Sequence, residues 1–214
     1  MVAKIKFCGM MRDLDAAAAA QAGAAYLGVV FAEGRRTVTE SSAKAVVAAA
    51  AGVPVLGVFS DQTPDEILRI ADVCGLSGAQ LHGVYSRDHA ARLRTAGLEV
   101  WRVVRIGGPS DLDIINTGEF ESDAVLVEPR VQHALGGSGI SLDLALASEA
   151  RLRLTGQRMV LAGGLRADNV AAALARVQPE IVDVSSGVEC LPGIKDPQQI
   201  TRFAEAVFAH SSVS

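Results

Sequence analysis

Several short apolar runs in this chain end on residues able to bind or react, and two of those ends carry proton-transfer groups. Cys8 closes Lys4-Ile5-Lys6-Phe7, and Glu128 closes Ala124-Val125-Leu126-Val127. A thiol and a carboxyl on well-separated strands suit base and acid work on opposite sides of one substrate. Other runs end on Phe31 (leading to Arg35-Arg36), Ser60-Asp61, His82, Arg105, Gly163-Gly164 and Ser185-Ser186-Gly187. The last two are glycine-bearing turns after late strands, where backbone N–H groups could cradle a phosphate. Together these features point to an enzyme acting on a small phosphorylated molecule.

Each residue also has a plainer role open to it. Cysteine often serves as a small buried apolar residue, and Cys74 and Cys190, which end no strand, suit that role. His82 in Gln80-Leu81-His82-Gly83 could be a hydrogen-bonded structural histidine. Arg35-Arg36 would ordinarily be solvated, although a loop after the second strand overhangs a barrel mouth. The glycines of Gly136-Gly137-Ser138-Gly139 and Ala162-Gly163-Gly164 could simply form turns.

The elements that must position these residues follow a regular beat. Strands are predicted at 5–8, 26–31, 55–59, 78–82, 100–105, 124–128, 159–162 and 181–184. Helices are predicted at 13–22, 41–51, 64–74, 86–96, 143–154, 166–177 and 197–209, with a short one at 111–117. Continuous apolar strands alternating with helices indicate a parallel sheet covered by helices. Thr63-Pro64-Asp65-Glu66 reads as an N-cap, a first-turn proline and a capping-box glutamate, and Asp196-Pro197 repeats the start signal. No linker or low-complexity tract interrupts the rhythm. Eight β/α units predict one (β/α)8 barrel domain over residues 1–214. Its first and last strands would then be neighbours, setting Cys8 beside the Ser185 loop.

Bulk composition narrows the partners. Half of the 214 residues are hydrophobic and only 4% aromatic, the profile of an Ala/Val/Leu core. A net charge of −4 with no basic stripe disfavours nucleic acid. Mean hydropathy is positive, but the most apolar span, 45–59, is too short for a bilayer and is broken by Gly52-Val53-Pro54. The first residues lack the apolar core of a signal peptide. Three cysteines without a CxxC pair disfavour disulfides and a zinc site, and a cytoplasmic location is expected.

The motifs Lys6-Phe7-Cys8-Gly9, Gln80-Leu81-His82-Gly83, Gly136-Gly137-Ser138-Gly139, Leu161-Ala162-Gly163-Gly164-Leu165 with Asn169, Asp183-Val184-Ser185-Ser186-Gly187-Val188-Glu189 and Gly193-Ile194-Lys195-Asp196 closely resemble the phosphoribosylanthranilate isomerase family. The resemblance implies a tryptophan-pathway enzyme that performs an Amadori rearrangement without a cofactor or a metal. It implies that Cys8 is the base, that Arg36 grips the anthranilate carboxylate, and that His82 and Asp183 bind substrate. The phosphate would lie on Gly163, Gly164, Ser185, Ser186 and Gly187. The family's acid is an aspartate where this chain has Glu128, and its Phe-Asp-Trp reads Leu142-Asp143-Leu144 here. Burial near the substrate's anionic groups is expected to raise the Glu128 carboxyl, with Asp143 or Asp183 as substitutes in the acid role. The partner is a small phosphorylated molecule, not a membrane, and the assembly a monomer or a homodimer. Two alternatives stay open: an isomerase of another aminated sugar phosphate, and a non-catalytic phosphate-binding paralogue.

Overall fold

The computed structural model describes residues 2–115, 122–130 and 142–211. Eight parallel strands close into a barrel in chain order: β1 (Lys4–Phe7), β2 (Tyr26–Val30), β3 (Val55–Phe59), β4 (Gly78–Leu81), β5 (Glu99–Ile106), β6 (Ala124–Pro129), β7 (Arg158–Ala162) and β8 (Ile181–Val184). The ring closes where β8 meets β1, pairing Lys6 with Asp183 and Phe7 with Val184. The Cys8 amide extends that ladder by donating to Val184 O at 2.9 Å. The expected neighbourhood of the first and last strands is thus realised.

Helices α1 (Asp13–Gln21), α2 (Glu40–Ala49), α3 (Pro64–Cys74), α4 (Arg87–Thr95), α5 (Leu144–Arg153), α6 (Val170–Val177) and α7 (Pro197–Ser211) surround the barrel. The helix α3 start carries the predicted capping box, with Thr63 and Glu66 each bonding the other's backbone N–H. That exchange satisfies two of the amides that a helix start leaves open. One large cluster of Val, Ile, Leu and Ala joins helices to strands. A smaller one, built on Tyr26, Leu56, Trp101, Leu126, Val160 and Ile181, draws its members from six strands and fills the barrel. Below it Glu99 accepts from Trp101 Nε1 (2.7 Å) and Arg158 Nη2 (2.5 Å), closing the N-terminal end.

Three segments differ from expectation. Between β5 and β6 the chain makes a 3₁₀ turn, Pro109–Ile114, and the end of the predicted 111–117 helix lies outside the described residues. Helix α6 starts at Val170 rather than near 166, because Asn169 is spent on the preceding loop. Its Oδ1 accepts from Arg166 N (2.8 Å) and its Nδ2 donates to Gly164 O (2.9 Å). Finally, a small antiparallel hairpin, β9 (Glu189–Leu191) and β10 (Ile194–Lys195), stands between β8 and α7.

Candidate active site

Because side chains alternate along a strand, a residue two positions before a strand-end group lies beneath it, inside the barrel. Lys6 lies under Cys8, Gln80 under His82, and Asp183 under Ser185. These inner residues form a buried polar floor. The Lys6 ammonium is fully buried and donates to Asp183 Oδ1 (2.6 Å) and Gln80 Oε1 (2.9 Å). It also stands 5.6 Å over the Trp101 ring, within cation–π reach. Burial would pull the ammonium down, but Asp183 and Cys8 outweigh it and hold Lys6 above its ordinary value.

Above the floor, one cavity of about 100 Å³ is lined by Cys8, Arg36, His82, Glu128, Asp183 and Ser185, among others. The structure thus brings together Cys8, Glu128 and Arg36, the residues expected as base, acid and carboxylate clamp. Cys8 and Lys6 share a tight corner. A Cβ on Gly28 would come within 2.9 Å of Cys8 Sγ and 3.2 Å of Lys6 Nζ. Burial pushes the Cys8 thiol up, and Lys6 pulls the other way without overcoming it.

Glu128 departs from expectation. Its side chain is buried, and Oε1 accepts from Arg105 Nε at 2.8 Å. His82 Nε2 lies 3.2 Å from the same oxygen. The angle is outside hydrogen-bond geometry, so Nε2 has no hydrogen-bond partner among the described residues. Burial alone would raise the carboxyl, yet His82 and Arg105 outweigh it and hold Glu128 below its ordinary value. Without substrate, burial therefore does not raise Glu128 as expected, because the His82 imidazole and the Arg105 guanidinium both stand against its carboxylate. Asp143 is corrected too. It is exposed and caps α5, accepting from Ala145 N (2.7 Å) and Leu146 N (3.4 Å), which commits it to the helix start. Asp183 stays at the cavity but is paired with Lys6.

The loops after β7 and β8 touch. A Cβ on Gly187 would fall 1.9 Å from Leu165 O, so any other residue would force them apart. Of the predicted phosphate set, Ser185 lines the cavity, and Gly163, Gly164, Ser186 and Gly187 stand on these two joined loops. The loop Gly136-Gly137-Ser138-Gly139 lies outside the described residues.

Arg36 reaches the cavity with its guanidinium already engaged. Nε and Nη2 donate to the two carboxylate oxygens of Glu189, each at 2.7 Å. A Cβ on Gly9 would meet Arg36 Cδ at 2.6 Å, so this glycine lets the arginine stem cross the end of β1.

A family model described as "N-(5'phosphoribosyl)anthranilate (PRA) isomerase" matches residues 5–206. The chain belongs to that family. An N-(5'-phosphoribosyl)anthranilate isomerase from Symbiobacterium thermophilum is 39% identical, with 94% of this chain and 96% of the relative covered. Among solved structures, a crystal structure of monomers generated from the dimeric Thermotoga maritima isomerase superposes with a TM-score of 0.83 at 30% identity, covering 97% of this chain and 99% of that one. A family structure in complex with reduced 1-(o-carboxyphenylamino)-1-deoxyribulose 5-phosphate also gives 0.83, at 28% identity and coverage of 97% and 99%. Membership accounts for the strand-end motifs. Lys6, Gln80, Glu189 and Lys195 were not singled out as site residues from the sequence. For Lys6 and Gln80 the signal was available, since each is two residues before a mouth residue.

Proposed function

We propose that the chain isomerises N-(5'-phosphoribosyl)anthranilate to 1-(2-carboxyphenylamino)-1-deoxyribulose 5-phosphate, the rearrangement its family name implies. The observation that carries this is Cys8 and Glu128 on one cavity, from β1 and β6, with Arg36 at the same cavity to take a carboxylate. Glu128, once protonated, gives its proton to the furanose ring oxygen as the C1'–O bond breaks and the nitrogen lone pair forms the C=N bond. Cys8, as thiolate, removes the C2' proton, and that electron pair becomes the C1'=C2' bond while the C=N pair returns to nitrogen. The resulting enol-amine tautomerises to the ketone. One proton leaves the acid and one reaches the base, so the site is reset by a single proton's return.

Free Glu128 is held ionised, so it must gain its proton when substrate arrives. The incoming phosphate and carboxylate favour this, because nearby negative charge raises a carboxyl. His82 and Asp183 are assigned to substrate binding. The phosphate is assigned to the joined loops carrying Gly163, Gly164, Ser185, Ser186 and Gly187, where backbone amides and hydroxyls are the donors. We place the protein in the cytoplasm and treat residues 1–214 as one working domain. No helix of the described residues is long and apolar enough to cross a membrane.

Introducing the gene into a tryptophan auxotroph that lacks only this isomerase tests the activity. Growth without tryptophan, lost on Cys8→Ser, is the expected result. Failure to grow, with soluble folded protein present and no turnover in the purified enzyme, would overturn it.

A further inference from the structure

The tail of the motif pattern, Glu189 and Gly193-Ile194-Lys195, takes no part in the proton transfers, yet it carries buried charge next to the cavity. Lys195 is fully buried. Its ammonium donates to Glu189 Oε1 (2.8 Å), to the Ser185 carbonyl (3.1 Å) and to Ser185 Oγ (3.4 Å). Glu189 in turn gives both oxygens to Arg36. An unbroken chain of charged hydrogen bonds therefore runs from the loop after β8 to the arginine of the carboxylate site. Opposed by burial, the two cations still hold Glu189 below its ordinary value, so the central link is a carboxylate.

The chain is anchored rather than dangling. The Lys195 amide donates to Asp15 Oδ2 (3.3 Å), and the Lys195 carbonyl accepts from Arg12 Nη2 (3.2 Å). The Asp196 amide donates to Val188 O (2.9 Å), which pins the hairpin base. A guanidinium offers five N–H donors in a planar fork. Glu189 occupies the Nε/Nη2 edge, and no described residue accepts from Nη1. The Nη1/Nη2 edge is thus left for a second carboxylate. Fixing one edge removes rotamer freedom before any ligand arrives, so less is lost on binding.

Building on the isomerase reading, we propose that Glu189 and Lys195 are positioning residues that set the span between two anion sites. They hold Arg36 at a fixed distance from the Ser185 loop, and so select substrates that carry a carboxylate and a phosphate at that one separation.

The test compares two inhibitors that differ only in the ring carboxylate: the reduced product, and its anilino counterpart. Their affinities are measured for the wild type, Glu189→Gln, and the double variant Glu189→Gln/Lys195→Met, which removes both buried charges at similar volume and guards against a folding loss. The wild type should prefer the carboxylated inhibitor. In both variants that preference should drop by about tenfold, the scale of one charge-assisted contact. In Glu189→Gln the anilino compound should bind as before, and the substrate effect should fall on KM rather than kcat. A wild-type preference that persists in the folded variants would overturn the positioning role alone. So would an equal loss for both inhibitors, which marks general damage. No preference in the wild type would instead refute the carboxylate assignment of Arg36.

Discussion

Glutamine at position 128 keeps the shape of the side chain and removes its proton. In the folded protein Glu128 is 7% exposed and accepts from Arg105 at 2.8 Å. The amide oxygen of glutamine can still accept that bond, so the loss is the difference between a charged and a neutral acceptor, roughly 1–2 kcal/mol of stability. The catalytic loss is far larger. Removing a general acid costs about 10²–10⁴-fold in rate, or roughly 3–5 kcal/mol of barrier. The two effects separate cleanly, in denaturant melts on one hand and steady-state kinetics on the other. Substrate affinity should change little. The pH dependence has a fixed sign. A carboxyl lowered on folding contributes stability that is present above its unfolded pKa of about 4.3 and is lost as pH falls through the folded value. Wild type and Glu128→Gln should therefore differ at neutral pH and converge in acid. If Glu128→Gln keeps kcat within about tenfold of wild type, the acid assignment is wrong, and Asp183, a second carboxylate lining the cavity, becomes the next candidate.

Cys8→Ser should leave the fold intact and lower kcat by about 10²–10⁴-fold or more, because a hydroxyl is a far weaker acid and cannot supply the base at neutral pH; near-normal turnover would move the base elsewhere. Lys6→Met strands the Asp183 carboxylate in the barrel and should cost about 3–5 kcal/mol in urea unfolding, with Asp183→Asn in the same chain recovering much of it. Gly187→Ala forces a Cβ to 1.9 Å from Leu165 O, so binding of inorganic phosphate, followed by calorimetry, should weaken; unchanged affinity would place the phosphate away from these loops.

The barrel was legible because its grammar is local. Apolar runs, capped helix starts such as Thr63-Glu66 and turns after each strand all lie within a few residues of one another. Cys8, Arg36, His82 and Glu128 were legible as strand-end or mouth-loop residues, and they do meet at one cavity. The electrostatic state of Glu128 was not, because it depends on His82, just after β4, and Arg105, on β5. Lys6 escaped for a different reason. A lysine in a short strand resembles a solvated edge, and only the shared side with Cys8 marks it as interior. Glu189 and Lys195 act across 153 and 10 residues, on Arg36 and Ser185, and no spacing rule encodes the first of these partnerships.

The opposed shifts of Cys8 and Glu128 have a kinetic consequence. Burial keeps the proton on sulfur, while His82 and Arg105 keep it off the carboxylate. The proposed rearrangement needs the inverse: a carboxylic acid for ring opening and a thiolate for the C2' proton. Both arrangements carry the same number of protons, so buffer pH cannot favour one over the other. Relocation of a proton between them is an internal tautomerisation. The flanks of a pH–rate profile then report the dominant tautomer, and the height of its plateau reports the scarce productive one. Each unit by which the two pKa values approach one another enlarges that scarce population about tenfold. Substitutions around Arg105 or Lys6 that leave binding and the profile's general shape alone can therefore raise or lower the plateau itself.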